Sequence, residues 1–246
     1  MTDDNSLRLS KLMAYKGLCS RREADQLIAK GWVKVDGQVV SELGTQVSPK
    51  ADITLSSEAQ KLLNQKVTII LNKPLGYLSS PSNDNYPLAV QLVRSANQDR
   101  NDRRKNRFDP IHLKGLAPAG RLDIDSKGLL VLTQNGVLAK QIIGENSPVD
   151  KEYLVRVKGH VEKSKLARLE FGISLDNRLL KRAKVKQLQP NLLQFILCEG
   201  RKRQIRRMCE AVELKVLSLK RVRIGKLRLN SLKEGQWRYL GSKEKV

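Results

Sequence analysis

The stretch Ala119-Gly-Arg-Leu-Asp-Ile-Asp-Ser-Lys-Gly-Leu-Leu-Val-Leu-Thr133 sets two carboxylates, Asp123 and Asp125, between glycines and just ahead of an apolar run. A carboxylate in such a place can act as a nucleophile or a general base. Two of them with one residue between can also hold a divalent cation, as in the D-x-D sites of sugar-nucleotide transferases. A calcium loop of the EF-hand kind is excluded, because Lys127 stands where a ligand is required and Gln134 where the closing Glu belongs. The plainest alternative is a polar turn leading into a buried strand.

Few other groups compete for the chemistry. Cys19, Cys198 and Cys209 are odd in number and lack C-x-x-C spacing, so neither a disulfide framework nor a zinc site is indicated, and buried thiols are expected. His112 and His160 are the only histidines and lie far apart, which disfavours a histidine-based triad or a histidine-rich metal site. No metal and no small-molecule cofactor are therefore expected.

The chain that must position these groups has 246 residues, a net charge of +22 and a pI of about 10.1. With 40% hydrophobic residues it can build a packed core, and its length suits one large domain or two unequal ones. A basic globular chain points to a polyanionic partner. No apolar run approaches the roughly 18 residues of a membrane span, and the acidic Met-Thr-Asp-Asp start is unlike a signal peptide, so a cytoplasmic protein is expected. The charge is uneven: residues 1–66 carry 10 Lys+Arg against 8 Asp+Glu, whereas residues 181–228 carry 15 against 3. Those bases alternate with apolar residues, the pattern of a folded face suited to neutralising phosphates.

Leu9, Leu12 and Met13 form an apolar stripe, Gly17 can end that helix, and Ser20-Arg-Arg-Glu23 is a capping box opening a second helix to about Lys30. Val33 and Val35 then alternate with Lys34, and Asp36-Gly37 offers a hairpin turn before Val39 and Val40. The product is a small helix, helix, hairpin module with Lys11, Arg21, Arg22, Lys30 and Lys34 on exposed faces. Residues 59–65 read as a linker helix and 67–71 as a buried strand. Residues 79–110 are polar and carry Arg100, Arg103, Arg104, Lys105 and Arg107, so a loop or flexible basic arm is expected, with RNA contact as its functional alternative. Downstream, strands are expected at 129–133, 152–157, 185–188, 192–198 and twice within 215–229, and helices at 137–143, 161–171 and 204–213. Strands outnumber long helices, which predicts an α+β fold: the module, then a mixed, mainly antiparallel sheet with helices packed on it.

The run L-x-K-L-M-A-x-x-G-L-C-S-R-R-E-A-D-x-L-I-x-x-G-x-V-x-V-D-G, from Leu9 to Gly37, resembles the S-four-type RNA-binding module named after a ribosomal small-subunit protein. That resemblance implies backbone contacts to structured RNA for Ser20, Arg21 and Arg22, while Ser20 and Glu23 are equally well read as a helix cap. Gly120 to Thr133 is similar to the signature of RNA pseudouridine synthases, specifically the ribosomal RNA family that carries such a module at its N-terminus. Further blocks agree in order: Leu71-Asn-Lys-Pro-Leu-Gly76, Lys151-Glu-Tyr-Leu-Val155, Glu199-Gly-Arg-Lys-Arg-Gln-Ile-Arg-Arg-Met208, and Lys220-Arg-Val-Arg-Ile-Gly225 followed by Gly235-Gln-Trp-Arg238.

The resemblance implies a pseudouridine synthase fold, with the RNA-binding domain at 7–66 and a catalytic domain at 67–246 that includes the basic loop or arm around 79–110. It implies isomerisation of a specific uridine, with 23S ribosomal RNA favoured over 16S, and ribosomal RNA or an assembly intermediate as the partner of a monomer. It assigns the catalytic carboxylate to Asp123, an opposing cation that favours the ionised form to Arg206, and base stacking to Tyr153. Arg121, Arg203 and Arg207 are expected against the RNA, with Arg121 holding a phosphate or filling the space left by a flipped base. Asp125 is expected to be a turn or cap residue. Ser126 departs from the Thr of many members but keeps the hydroxyl, and Arg203 stands where a His often precedes Gln204. The alternative reading is a non-catalytic ribosomal-RNA-binding assembly factor.

Most of the positive charge lies outside residues 1–66. Their removal is expected to weaken target choice more than the salt dependence of RNA binding, checked by the slope of log K against log salt for whole and truncated protein.

Overall fold

The computed structural model describes residues 6–100, 107–144 and 147–246. Arg103, Arg104 and Lys105 of the expected basic arm lie outside the described residues. Helix α1 (Leu9–Tyr15) buries Leu9, Leu12 and Met13 and ends ahead of Gly17, whose φ is +74°. Helix α2 (Arg21–Ala29) starts at Ser20, whose hydroxyl accepts from the Glu23 amide while the Glu23 carboxylate accepts from the Ser20 amide. Strands β1 (Val33–Val35) and β2 (Gln38–Val40) pair across Asp36-Gly37, both at positive φ, and β3 (Ile53–Leu55) pairs on the other side of β1. Helix α3 (Ser57–Asn64) follows, and its Ala59 joins a core with Leu12, Met13, Leu27 and Ile28.

A large mixed sheet organises the rest. In chain order it uses β4 (Thr68–Lys73), β5 (Lys127–Thr133), α4 (Gly136–Ile143), β6 (Lys151–Lys158), α5 (Lys163–Glu170), β7 (Lys184–Gln189), β8 (Leu192–Leu197), α6 (Gln204–Glu210), β9 (Lys215–Ile224) and β10 (Trp237–Tyr239). The strand order is β7-β8-β6-β9-β5-β4-β10, with the short strands Ala117–Pro118 and Leu227–Arg228 added on β5 and β9. Among the described residues each of these pairings is antiparallel except β9 with β5. The fold is α+β with a mixed, mainly antiparallel sheet.

Strands β4 and β5 are continuous apolar runs because both of their faces are covered. Ile69, Leu71, Leu130 and Leu132 share one core with Ala89 and Trp237, whereas Ile70, Leu129 and Val131 share another with Ile142 of α4. A third core gathers Val155, Leu169, Phe195 and Met208 under α5 and α6. Tyr153 packs against both the first and the third, which puts it at the seam of the sheet.

Two expectations change. The described part of 79–110 is not a loose arm: single 3-10 turns at Ala89–Leu92, Ser95–Asn97 and Pro110–Leu113 lie against the sheet, with Ala89, Leu92 and Val93 buried. The Trp237 indole donates to the Arg94 carbonyl at 2.9 Å, and Phe108 meets the same indole edge-on. The polar composition hid these anchors because the strand that receives them lies far along the chain. Cys19 and Cys209 are buried as expected, but Cys198 is exposed, since β8 ends before it. Among the described residues no helix is long and apolar enough to cross a membrane.

Strands β9 and β5 meet at Arg221 and Gly128. There φ of Gly128 is +106°, and a Cβ would fall 2.2 Å from the Arg221 carbonyl oxygen. Gly128→Ala is expected to lower the melting temperature by roughly 5 °C or more, because backbone strain alone costs about 1–3 kcal/mol and each kcal/mol is worth about 2–4 °C at this chain size. A thermal melt of the variant checks this.

Candidate active site

Asp123 lies in the turn between the Ala117–Pro118 strand and β5, and hydrogen bonds fix the peptides on either side of it. The buried Ser79 hydroxyl donates to the Leu122 carbonyl at 2.7 Å and accepts from the Leu122 amide at 2.9 Å. The Gly76 amide donates to the Ile124 carbonyl at 3.0 Å, and within the turn the Ser126 amide donates to the Asp123 carbonyl at 3.0 Å. Arg206 Nη2 donates to the Asp125 carbonyl at 2.6 Å, and Arg221 Nη1 to the Arg121 carbonyl at 3.1 Å. Among the described residues the Asp123 carboxylate itself, half-buried, makes no hydrogen bond or ion pair.

The turn forms part of a cleft of about 1410 Å³, lined by nine Arg or Lys and three Asp or Glu residues. Small-molecule pockets are commonly about 300–1,000 Å³, so this one is shaped for part of a larger ligand. Tyr153 enters it from β6, where it is paired with Phe195 on β8 and Arg221 on β9. Arg206 enters from α6, Arg121 stands exposed at the rim, and Lys151 and Cys198 complete the neighbouring wall.

Asp125 is an ion-pair hub as well as a turn residue. Its Oδ2 lies 2.9 Å from Arg203 Nη2 and 3.2 Å from Arg206 Nε. The second contact is an ion pair without hydrogen-bond alignment, leaving the buried Arg206 Nε without an acceptor. Burial works against the charge on Asp125, but the hydrogen bond from Arg203 and the positive charges of Arg206 and Arg203 outweigh it and hold the carboxyl below its ordinary value. Asp125 thus has two guanidiniums as its counter-ions, and among the described residues no three His, Cys, Asp or Glu side chains are grouped to hold a metal ion.

The structure therefore brings Asp123, Tyr153, Arg206, Arg121 and Arg203 to one cleft, with a difference at Arg206. The resemblance set it opposite Asp123, yet its guanidinium closes on Asp125, so it braces the turn while facing the cleft. Arg203, at φ +52° just before α6, is also tied to Asp125. Arg207 lies outside the cleft lining and is bidentate to Asp176 at 2.7 and 3.0 Å. Ser20, Arg21 and Arg22 stand apart from the cleft. Arg21 and Arg22 are exposed, but Ser20 faces α4: a Cβ on Gly136 would fall 2.5 Å from that of Ser20, and Lys66 pairs with Glu23 beside it.

Three residues gain a place that sequence reasoning did not give them. Ser79, which clamps Leu122, had no signal beyond opening the polar stretch. Lys73 and Arg221 lay inside resembling blocks without a role. Lys73 is fully buried at the end of β4 and donates to the Pro74 carbonyl at 2.9 Å. Burial is the main cause that pushes its ammonium down to about 8, with Asp123 and Asp125 opposing and Arg221 reinforcing the shift.

With this geometry in hand, comparison with known proteins is specific. Residues 67–211 match the family described as RNA pseudouridylate synthase, and residues 7–53 match the S4 domain. The chain is 36% identical to ribosomal large subunit pseudouridine synthase B of Bacillus subtilis (strain 168), over 95% of this chain and 91% of that protein. It is 33% identical to dual-specificity RNA pseudouridine synthase RluF of Escherichia coli (strain K12), over 100% of this chain and 79% of that one. A crystal structure of a pseudouridylate synthase is similar with a TM-score of 0.65 at 31% identity, covering 96% of each chain.

Folding lowers the Asp125 carboxyl from its unfolded value, so its contribution is present above about pH 4 and is lost as the pH falls through the lowered value. Asp125→Asn is expected to melt below the wild type at neutral pH, with the gap closing as the pH falls through the lowered value. Release of both guanidiniums toward Asp123 is expected to lower turnover by about tenfold or more, measured at fixed ionic strength.

Proposed function

Because the chain belongs to the RNA pseudouridylate synthase family, we propose that it isomerises a specific uridine of ribosomal RNA to pseudouridine, with Asp123 as the catalytic carboxylate. The single observation that carries the residue assignment is the Asp123 carboxylate, unpartnered among the described residues and set in a basic cleft on a turn whose carbonyls from Arg121 to Asp125 all accept hydrogen bonds.

In the reaction the bond between N1 and the anomeric carbon breaks and its electron pair leaves with the uracil ring. The ring turns, C5 takes the place of N1 on the sugar, C5 loses a proton and N1 gains one, so atoms balance within the nucleoside. Positive character develops at the anomeric carbon, where a carboxylate can add or can remove a proton from the adjacent carbon. Tyr153 offers its ring to the base from the cleft wall. Arg206 braces the turn through Asp125 and places a guanidinium beside the reacting sugar. A base within folded RNA must leave its stack to reach Asp123, and Arg121 at the rim is placed to enter the gap or hold a phosphate.

Eight of the cleft's bases, all but the buried Arg221, stand against three acids and with the exposed Arg21 and Arg22 support phosphate recognition of folded RNA. Arg203 and Arg207 contact RNA phosphates with the guanidinium donors that their pairs with Asp125 and Asp176 leave unused. Residues 7–66 form the RNA-binding domain and 67–246 the catalytic one. The likeness to a large-subunit enzyme supports 23S ribosomal RNA, free or in an assembly intermediate, as the substrate. We propose that the enzyme works as a monomer without a cofactor, in the cytoplasm, where its ribosomal RNA substrate is assembled.

Ribosomal RNA carrying tritium at uridine C5 tests this reading. Wild type is expected to release tritium, and Asp123→Asn to lose at least about three orders of magnitude in rate; equal release by the two proteins would remove Asp123 from the chemistry.

A further inference from the structure

Arg221 is 4% exposed, a buried guanidinium on the strand that also fixes the register of Tyr153. Its Nε donates to the Leu129 carbonyl at 2.8 Å and its Nη1 to the Arg121 carbonyl at 3.1 Å. These two carbonyls stand on either side of the turn that carries Asp123, one at its start and one in the strand that leaves it. Its Nη2 is buried with no acceptor. A buried donor left unmet is unfavourable, and an apolar side chain would avoid that loss, so core packing alone gives a poor account of an arginine here.

The backbone around Arg221 is shaped to bring the guanidinium there. Gly128 without a side chain lets β5 approach the Arg221 peptide, and the register of β9 against β6 shifts between Arg221 and Arg223, a bulge immediately after the residue. Bulges beside active sites re-aim side chains. Here the re-aimed side chain runs beneath the catalytic turn and lines the cleft.

Taking the proposed role of Asp123 as its premise, we infer that Arg221 is a positioning residue for the reaction: it sets the position of the Asp123 carboxylate by tying together the two ends of its turn. The substrate-binding surface is supplied by other side chains, so loss of Arg221 acts on the chemical step and leaves RNA affinity in place. Displacement of a reacting group by about 1 Å can lower a rate by about 100-fold.

Arg221→Ala is expected to lower kcat by roughly 100-fold with KM changed by less than about threefold, and added methylguanidinium is expected to restore at least about tenfold of the loss by refilling the site. A melt establishes that the variant is folded. A loss confined to KM, or a kcat loss in folded protein that methylguanidinium leaves untouched, would overturn the inference. Where the alanine variant does not fold, Arg221→Lys decides: it keeps the charge but cannot span both carbonyls, so low kcat with normal KM is expected, and wild-type kcat would overturn it. Tritium release by the wild type on the same RNA reads the underlying function separately.

Discussion

A carboxylate among many cations does not stay free unless those cations are held elsewhere. That constraint shapes the cleft. Arg203 and Arg206 close on Asp125, Arg201 bonds the Leu175 carbonyl at 2.7 Å, Arg221 spans the carbonyls of Arg121 and Leu129, and Lys73 is turned to the carbonyl of Pro74. These groups add to the positive field that draws phosphate into the cleft, yet among the described residues none sits on the Asp123 carboxylate. Asp125 is the acid that makes the arrangement possible, two residues from the one left free.

The sheet supplies the rigidity that this distribution requires. The turn that carries Asp123 leads into β5, which is buried on both faces, and the groups that bond it come from the segment after β4, from α6 and from β9. The parallel contact of β9 with β5 at Gly128 draws the Arg221 side chain under the turn, and the same strand places Tyr153 across from it. Positions that are far apart in sequence thus become neighbours through strand register, which is how a catalytic group gains precision without a stiff loop of its own.

Much of this was legible in the sequence where the signal is local. The capping box at Ser20, the Asp36-Gly37 hairpin and the apolar runs of β4 and β5 are set by residues within a few positions of one another. The Asp123 motif, Tyr153 and Arg206 came from resemblance, because nothing in a lone aspartate or strand tyrosine separates catalysis from packing. What stayed hidden depends on distant pairing. Ser79 has meaning only against Leu122, Trp237 only against Arg94 and Phe108, and Asp125 only against arginines about 80 residues later, as its contacts with Arg203 and Arg206 make plain. Arginines of the 199–208 block looked like a free basic face, but composition does not tell a solvated guanidinium from one already spent on a carbonyl or carboxylate.

The seat of Ser20 against Gly136 joins the start of α2 to the start of α4, with Lys66 and Glu23 paired alongside. A module hung on a slack tether would let bound RNA wander over the catalytic face. Here the start of α2, with Arg21 and Arg22 exposed on it, is seated directly on the start of α4, the helix that packs behind β5, so the module leans on the sheet as well as on the connecting helix α3.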